Sequence, residues 1–252
     1  KTRVQALIEE IQDMIDIDHV SKSYNRGAIR AVDDLTLAME PGEIFGFLGP
    51  NGAGKTTLIK MIVGLLRPDA GTIRIDGVDI RREPLRCKRA VTYVPDTPDV
   101  YERLTGMEYL QFIGDVYGAP AARRRERIAR WAEVFELTSA LRSPIQSYSH
   151  GMRQKVVLMA ALLPEVRAII LDEPLVGLDP RSSAELKGAL REHCREGGTV
   201  FFSTHIMEVA ERLCDRVGII HRGRLVALGT LADLKERTGS DRTLESIFLE
   251  AT

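Results

Sequence analysis

Eight consecutive residues constrain this chain more than any others: Gly49-Pro50-Asn51-Gly52-Ala53-Gly54-Lys55-Thr56. They sit between a strand-like run at 43–48 and a helical pattern at 57–66. Strand, glycine-rich turn, helix is the order of a phosphate-binding loop. Glycines are needed there because backbone N–H groups must converge on phosphate oxygens with no Cβ in the way. The start of the following helix adds the positive end of its dipole. Lys55 is expected to bridge the β- and γ-phosphates of ATP, and the Thr56 hydroxyl to reach Mg²⁺. The loop from Gly49 to Thr56, with Thr57 after it, forms the expected set of nucleotide contacts. A chance glycine turn is the plain alternative, and the flanking strand and helix argue against it.

Around this loop, short apolar runs alternate with helical patterns. The short runs at 168–171, 199–203 and 214–220 are predominantly apolar, which predicts a mostly parallel sheet covered on both faces. The stretch from 105 to 163 reads differently, as helices over 106–117, 121–135 and 150–163. A helical block inserted in an α/β core implies a two-lobed domain. The division expected is an extension or cloning remnant over 1–13, which reads as an amphipathic helix, then a cassette over 14–230. The helical subdomain spans about 97–163, and a helical tail covers 231–252. No internal repeat is present, so one nucleotide unit is expected.

A second motif completes the chemistry of the first. Ile169-Ile170-Leu171-Asp172-Glu173-Pro174 is an apolar strand ending in two carboxylates. Open α/β sheets place ligands at the C-terminal ends of their strands. Asp172 is expected to hold Mg²⁺ through its water shell, and Glu173 to polarise the attacking water. A strand capped by a solvated acidic turn is the alternative for this motif alone. Phe201-Phe202-Ser203-Thr204-His205 ends the next apolar run. A lone histidine is more often structural, but this one falls at the phosphate side of a neighbouring strand. His205 is therefore a candidate to contact the γ-phosphate or the water.

Tyr148-Ser149-His150-Gly151-Met152-Arg153-Gln154 separates the chain from generic phosphate-loop ATPases. It resembles the signature sequence of ABC ATPases, usually Leu-Ser-Gly-Gly-Gln, keeping Ser149 and Gly151 and departing at His150 and Met152. Taken alone it is a helix start with Ser149 as N-cap and free N–H groups. The order of phosphate loop, signature, acidic strand and His205 carries the resemblance from Met14 to about Gly229. It implies a P-loop ATPase core with an antiparallel β-subdomain and an inserted α-helical subdomain. It further implies that Tyr24 stacks on adenine and that Gly177-Leu178-Asp179 crosses a dimer interface. Two such subunits, identical or not, would bury two ATP molecules, each between one loop and the partner's Ser149 and Gly151. Hydrolysis would remove the phosphate that joins them.

The family usually carries glutamine after the strand at 91–95, where this chain has Asp96. Asp96 is expected to bind Mg²⁺ directly or through water while adding negative charge near the phosphates. An acidic residue here, and the closing run 244–250, are similar to ABC-2 exporters, which favours export over solute import. Tyr101, Leu104 and Met107 are candidates for a groove that takes a helix of a membrane permease, or else for internal packing. No apolar run reaches the ~20 residues of a membrane span. The resemblance thus implies a cytoplasmic subunit, peripheral on the inner face of the membrane.

Composition narrows the alternatives. With 35 basic against 36 acidic residues, the chain gives no global reason to expect nucleic acid. Arg123-Arg124-Arg125 is expected to be a solvated helix face. A soluble ABC ATPase of translation would carry two cassettes, and one of DNA repair a long coiled coil; neither is present. An ATP-binding regulator without turnover is disfavoured by Lys55 together with Glu173. Cys87, Cys194 and Cys214 have no metal-ligand spacing and are expected as reduced thiols.

Overall fold

The computed structural model of the chain describes residues 13–238 and 244–251. The extension expected over 1–13 lies, except for Asp13, outside the described residues. The chain opens with β1 (Ile15–Tyr24) and β2 (Ile29–Met39), followed by β3 (Ile44–Leu48) and α1 (Lys55–Ile62). Next come β4 (Ala70–Ile75), β5 (Val78–Asp79), α2 (Pro84–Ala90) and β6 (Val91–Val94). Three helices form the inserted block, α3 (Gly106–Val116), α4 (Ala121–Val134) and α5 (His150–Leu162). The chain then returns through β7 (Ala168–Asp172), α6 (Pro180–Arg195), β8 (Thr199–Thr204) and α7 (Met207–Leu213). It closes with β9 (Arg216–His221), β10 (Arg224–Thr230), α8 (Leu231–Thr238) and α9 (Leu244–Ala251).

Two sheets result. The larger has the order β10-β9-β3-β8-β7-β6 and is parallel except for β10. The smaller, β2-β1-β4-β5, is antiparallel. Every residue of β3, β7 and β8 is buried, which is why these runs read as predominantly apolar. Alternate side chains feed two cores. Ile44, Leu48, Ile169, Leu171, Val200 and Phe202 pack with the helical block. Phe45, Phe47, Ile170 and Phe201 pack with α1 and the antiparallel sheet. Each such side chain contributes roughly 1.5–3 kcal/mol by burial.

Register places the site. Leu48 pairs with Thr204, Asp172 with Ser203, and Val94 with Leu171. The residues that follow β3, β6, β7 and β8 therefore emerge at one edge of the sheet. The helical block is fixed locally by a capping box, in which Thr105 N–H donates to Glu108 Oε2 at 2.8 Å and Glu108 N–H donates to Thr105 Oγ1 at 3.2 Å. Tyr117 Oη donates to the Val91 carbonyl at 2.8 Å and ties the block to β6.

Three expectations need correction. The helix after the phosphate loop ends at Ile62 because Gly64, at φ +69°, turns the chain. The strand expected from residue 214 begins at Arg216, since Cys214 N–H still donates to Ala210 O and closes α7. Arg124 does not belong to a solvated face: its side chain is 12% exposed and pairs with Asp115 beside Gly114. The three cysteines are free and buried.

Candidate functional site

The phosphate loop is built around two glycines, Gly49 and Gly54, where no side chain fits. A Cβ on Gly49 would meet Ile220 O at 2.5 Å, and one on Gly54 would meet Ala31 O at 2.2 Å. Gly54 also has φ +114°, a conformation L side chains rarely adopt, directly before α1. Lys55 is the first residue of that helix and is 7% exposed. Its Nζ donates to Gly49 O at 2.6 Å and Pro50 O at 3.3 Å, and lies 3.6 Å from Glu173 Oε1. The ammonium is thereby held over the loop.

Asp172 ends β7 with both oxygens engaged. Thr56 Oγ1 donates to Oδ2 at 2.8 Å, and Ser203 Oγ donates to Oδ1 at 2.5 Å. Burial pushes its carboxyl above the ordinary range; those two hydrogen bonds oppose the shift, and Asp96 and Glu173 add to it. Glu173 has φ +49°, a strained conformation of order 1–3 kcal/mol that its surroundings enforce. Its N–H donates to Ser203 O and Oγ, both at 3.2 Å. Its Oε1 is hydrogen-bonded to His205 Nδ1 at 3.0 Å. One carboxylate oxygen thus stands between an ammonium and an imidazole. Tyr93, nearby on β6, has its phenol pushed well up by burial and then by Asp172 and Asp96.

Lys55, Thr56, Asp172 and Glu173 share one cleft, lined also by Ala31, Pro50, Asn51, Gly52, Gly54, Thr57 and Asp96, whereas His205 meets it through its bond to Glu173 and is not part of the lining. Its donor set suits Mg²⁺, a hard cation that takes hydroxyl and carboxylate oxygens. Among the described residues no group of three or more His, Cys, Asp or Glu is arranged to cage a metal. The Thr56 hydroxyl and the Asp172 and Asp96 carboxylates make a partial set of oxygen donors, of the kind that suits Mg²⁺ when phosphates and waters complete its shell.

The remaining expected residues lie elsewhere. Ser149 caps α5, its Oγ accepting from Met152 N–H at 3.3 Å. A Cβ on Gly151 would stand 3.1 Å from Gly177 O, and one on Gly177 would stand 3.6 Å from the His150 ring. Asp179 caps α6, accepting from Ser182 N–H at 2.8 Å and Ser182 Oγ at 2.7 Å. Lys155 Nζ, also 2.8 Å away, holds the Asp179 carboxyl well below the usual range, with the Ser182 bonds adding to it. Ser149, Gly151 and Asp179 thus form a corner of their own, and none of them lines the phosphate cleft. Tyr24, half-exposed, ends β1 opposite Ile29, on the hairpin whose second strand carries Ala31 to the cleft. Tyr101 is exposed, as are Phe112 and Val116, whereas Leu104 and Met107 pack against the core.

Sequence reading missed three contributors. Ala31 touches the loop from a remote strand and carries no chemical signal. Ser203 was visible at a strand end, but its bond to Asp172 follows only from the β7–β8 register. Lys155 lies beyond the motif it serves.

Comparison with known proteins bears on the same residues. A family model described as ABC transporter matches residues 32–176. The chain is 37% identical to the linearmycin resistance ATP-binding protein LnrL of Bacillus subtilis, over 92% of this chain and 74% of that protein. It is 35% identical to the ABC-type transporter ATP-binding protein EcsA of Bacillus subtilis, over 95% and 96%. A daunorubicin resistance ATP-binding protein of Streptomyces coeruleorubidus is 39% identical over 94% and 74%. A solved structure of an ATP-binding subunit of an ABC transporter superposes with TM-score 0.90 at 36% identity, covering 94% of this chain and 99% of that one. A dimeric ATP-binding cassette in a post-hydrolysis state, at TM-score 0.79 and 24% identity over 86% and 99%, shares the fold.

Proposed function

The chain belongs to the ABC transporter family as an ATP-binding, ATP-hydrolysing subunit, and on that premise we propose that it drives an exporter by closing with a second subunit over ATP. The carrying observation is the cleft where Glu173 Oε1 lies 3.6 Å from Lys55 Nζ and 3.0 Å from His205 Nδ1, beside the Thr56–Asp172 pair. Lys55 and the loop amides bind and orient the β- and γ-phosphates. Glu173, held by the Lys55 ammonium and the His205 ring, polarises the attacking water, and His205 reads the γ-phosphate end. Thr56, Asp172 and Asp96 would hold Mg²⁺, which supplies charge neutralisation on the phosphate oxygens when bound.

The separate corner of Ser149, Gly151 and Asp179 supports the two-subunit reading. It offers a helix start to an anion, yet it lies outside this chain's own phosphate cleft. A second copy, or a related subunit, would bring its own corner over this cleft, and Tyr24 would flank the base. Export is favoured by Asp96 and by relatives named for resistance to linearmycin and daunorubicin. Among the described residues no helix is long and apolar enough to cross a membrane. As a subunit of this family it would act with a membrane permease, and exposed Tyr101, with Phe112 and Val116, is the surface we assign to that partner. The same reading divides the chain into a cassette over 14–230, with its helical lobe at about 97–163, and a tail over 231–252.

The test is Glu173→Gln. That variant keeps the loop and loses the water-polarising carboxylate, so ATP with Mg²⁺ should shift it to a dimer on gel filtration. A variant that binds ATP and elutes only as monomer would sink the two-subunit mechanism.

A further inference from the structure

The run 244–250 has no part in the phosphate cleft, yet it is seated in the core. Leu244 opens α9 and is fully buried, and Leu234 on α8 is buried with it. Both belong to the larger core, joined there by half-buried Leu231 and Phe248. Leu244 and Phe248 lie one turn apart on α9 and so share a face. Helix α9 packs against α7, whose Ala210 and Leu213 are buried in the same core. A polar bond completes the joint. The Leu244 N–H donates to Glu211 Oε1, on α7, at 2.6 Å. That carboxylate therefore stands at the first turn of α9, where the helix dipole favours an anion.

Helix α7 depends on such support. It has seven residues, about two turns, and helices this short are marginal on their own. Ile206, its N-cap residue, makes no side-chain cap bond and is exposed. Of its own residues only Ala210 and Leu213 are buried, while Glu208 and Arg212 pair with each other in solvent. Its far end is tied to α6, where Arg191 Nη2 donates to Arg212 O at 2.6 Å. Its near end follows His205 directly. His205 sits between the fully buried β8 and α7, with its side chain half-exposed. Among the described residues the ring has one hydrogen-bond partner, Glu173 Oε1. A ring so lightly held takes its position from the backbone that joins β8 to α7. Whatever seats α7 therefore sets where His205 reaches.

We infer that α9 is a positioning element for His205, acting through α7, with Leu244 as its buried anchor and Glu211 as its polar tie. This role presupposes that His205 acts at the γ-phosphate, as the ATPase reading has it. The experiment measures kcat and ATP affinity of full-chain variants, with His205 in place and with His205→Ala. Leu244→Ser should lower kcat about tenfold, as for a small misplacement made far from the chemistry. ATP affinity should change less than about twofold, because the phosphate loop is untouched. Glu211→Ala should lower kcat about threefold, and Glu211→Gln, which keeps an acceptor oxygen, should recover most of that loss. Glu208→Gln, on the solvent face of the same helix, should change nothing. On the His205→Ala background neither Leu244→Ser nor Glu211→Ala should slow turnover further, since the group they place is gone. Equal losses on both backgrounds would overturn the inference and make α9 a general support. Unchanged kcat in both variants would overturn it too. Glu211→Ala leaves the core intact, so the test survives a Leu244→Ser chain that does not fold. If His205→Ala alone leaves turnover unchanged, the ATPase role of His205 falls and this one falls with it; additive losses strike this one only.

Discussion

Asp172 and Asp179 belong to one stretch of chain, yet their carboxyls are displaced in opposite directions. Asp172 is buried at the end of β7 and destabilised as an anion, held only by hydroxyls from Thr56 and Ser203. Asp179 is half-exposed and already matched by Lys155 and the start of α6. The phosphate cleft therefore stores an anion that a cation would relieve, whereas the corner of Ser149, Gly151 and Asp179 has satisfied its own charge. What the corner has left to offer is main-chain N–H groups and a hydroxyl. One region is organised for a metal and phosphates brought to it, and the other for presentation to something outside the chain.

The comparison breaks first at Lys55. Lys55→Ala removes the ammonium that lies between the loop carbonyls and Glu173. Hydrolysis should fall by about 10²–10³ or more, as for loss of a preorganised charge in a dry site. Near-normal turnover in a phosphate-release assay would refute the assignment of the loop. Next in size is a pair of glycines. Gly54→Ala puts a methyl 2.2 Å from Ala31 O at φ +114°, whereas Gly52→Ala, at φ +81°, meets nothing within 4 Å. The second carries only the conformational penalty, roughly 1 kcal/mol. The first should cost several times more, read as the shift in urea midpoint and the loss of nucleotide affinity. Equal effects would mean that Ala31 does not brace the loop.

Titration sharpens the contrast between the two acids. The folded pKa of Asp172 is raised, so its anion weakens the fold progressively as pH climbs from about 3.8 through the raised value. With Mg²⁺ removed by chelator, Asp172→Asn should raise Tm at neutral pH by about 2–4 °C, and the gain should vanish in acid. Asp179 is lowered, so its contribution is present above about 3.8 and lost as pH falls through the folded value. Asp179→Asn should lower Tm at neutral pH by about 2 °C or less, since solvent screens the pair and asparagine still caps a helix. Melting curves from pH 3 to 8 decide it, and shifts of the same sign would contradict the picture of one stored and one satisfied charge.

What could be read in the sequence follows how contiguous each feature is. Gly49–Thr56 and the run ending in Asp172 and Glu173 carry their chemistry within a few residues, so spacing alone located them. The parallel sheet was legible because β3, β7 and β8 are buried on both faces and therefore predominantly apolar. Ala31, Ser203 and Lys155 were not, because each acts through register or packing with a distant segment and has no distinctive neighbours. Arg124 misled for the same reason: an arginine run reads as solvated unless one knows that a glycine on α3 makes room for its second member.

The smallest expected effect is the sharpest test of the separation itself. Ser149 lies outside the cleft, and its cap bond to Met152 N–H is long, at 3.3 Å. Ser149→Ala should therefore cost only about 0.5 kcal/mol of stability, the low end for an N-cap. More to the point, ATP affinity measured on dilute monomer should change less than about twofold, because no group that grips the phosphates within one subunit has been touched. At concentrations where subunits meet, the same variant should lose turnover, since the anion then lacks its second wall of donors. A tenfold loss of ATP affinity in the isolated monomer would place Ser149 within its own chain's nucleotide site. The distinction between a region that holds and a region that presents would then be untenable.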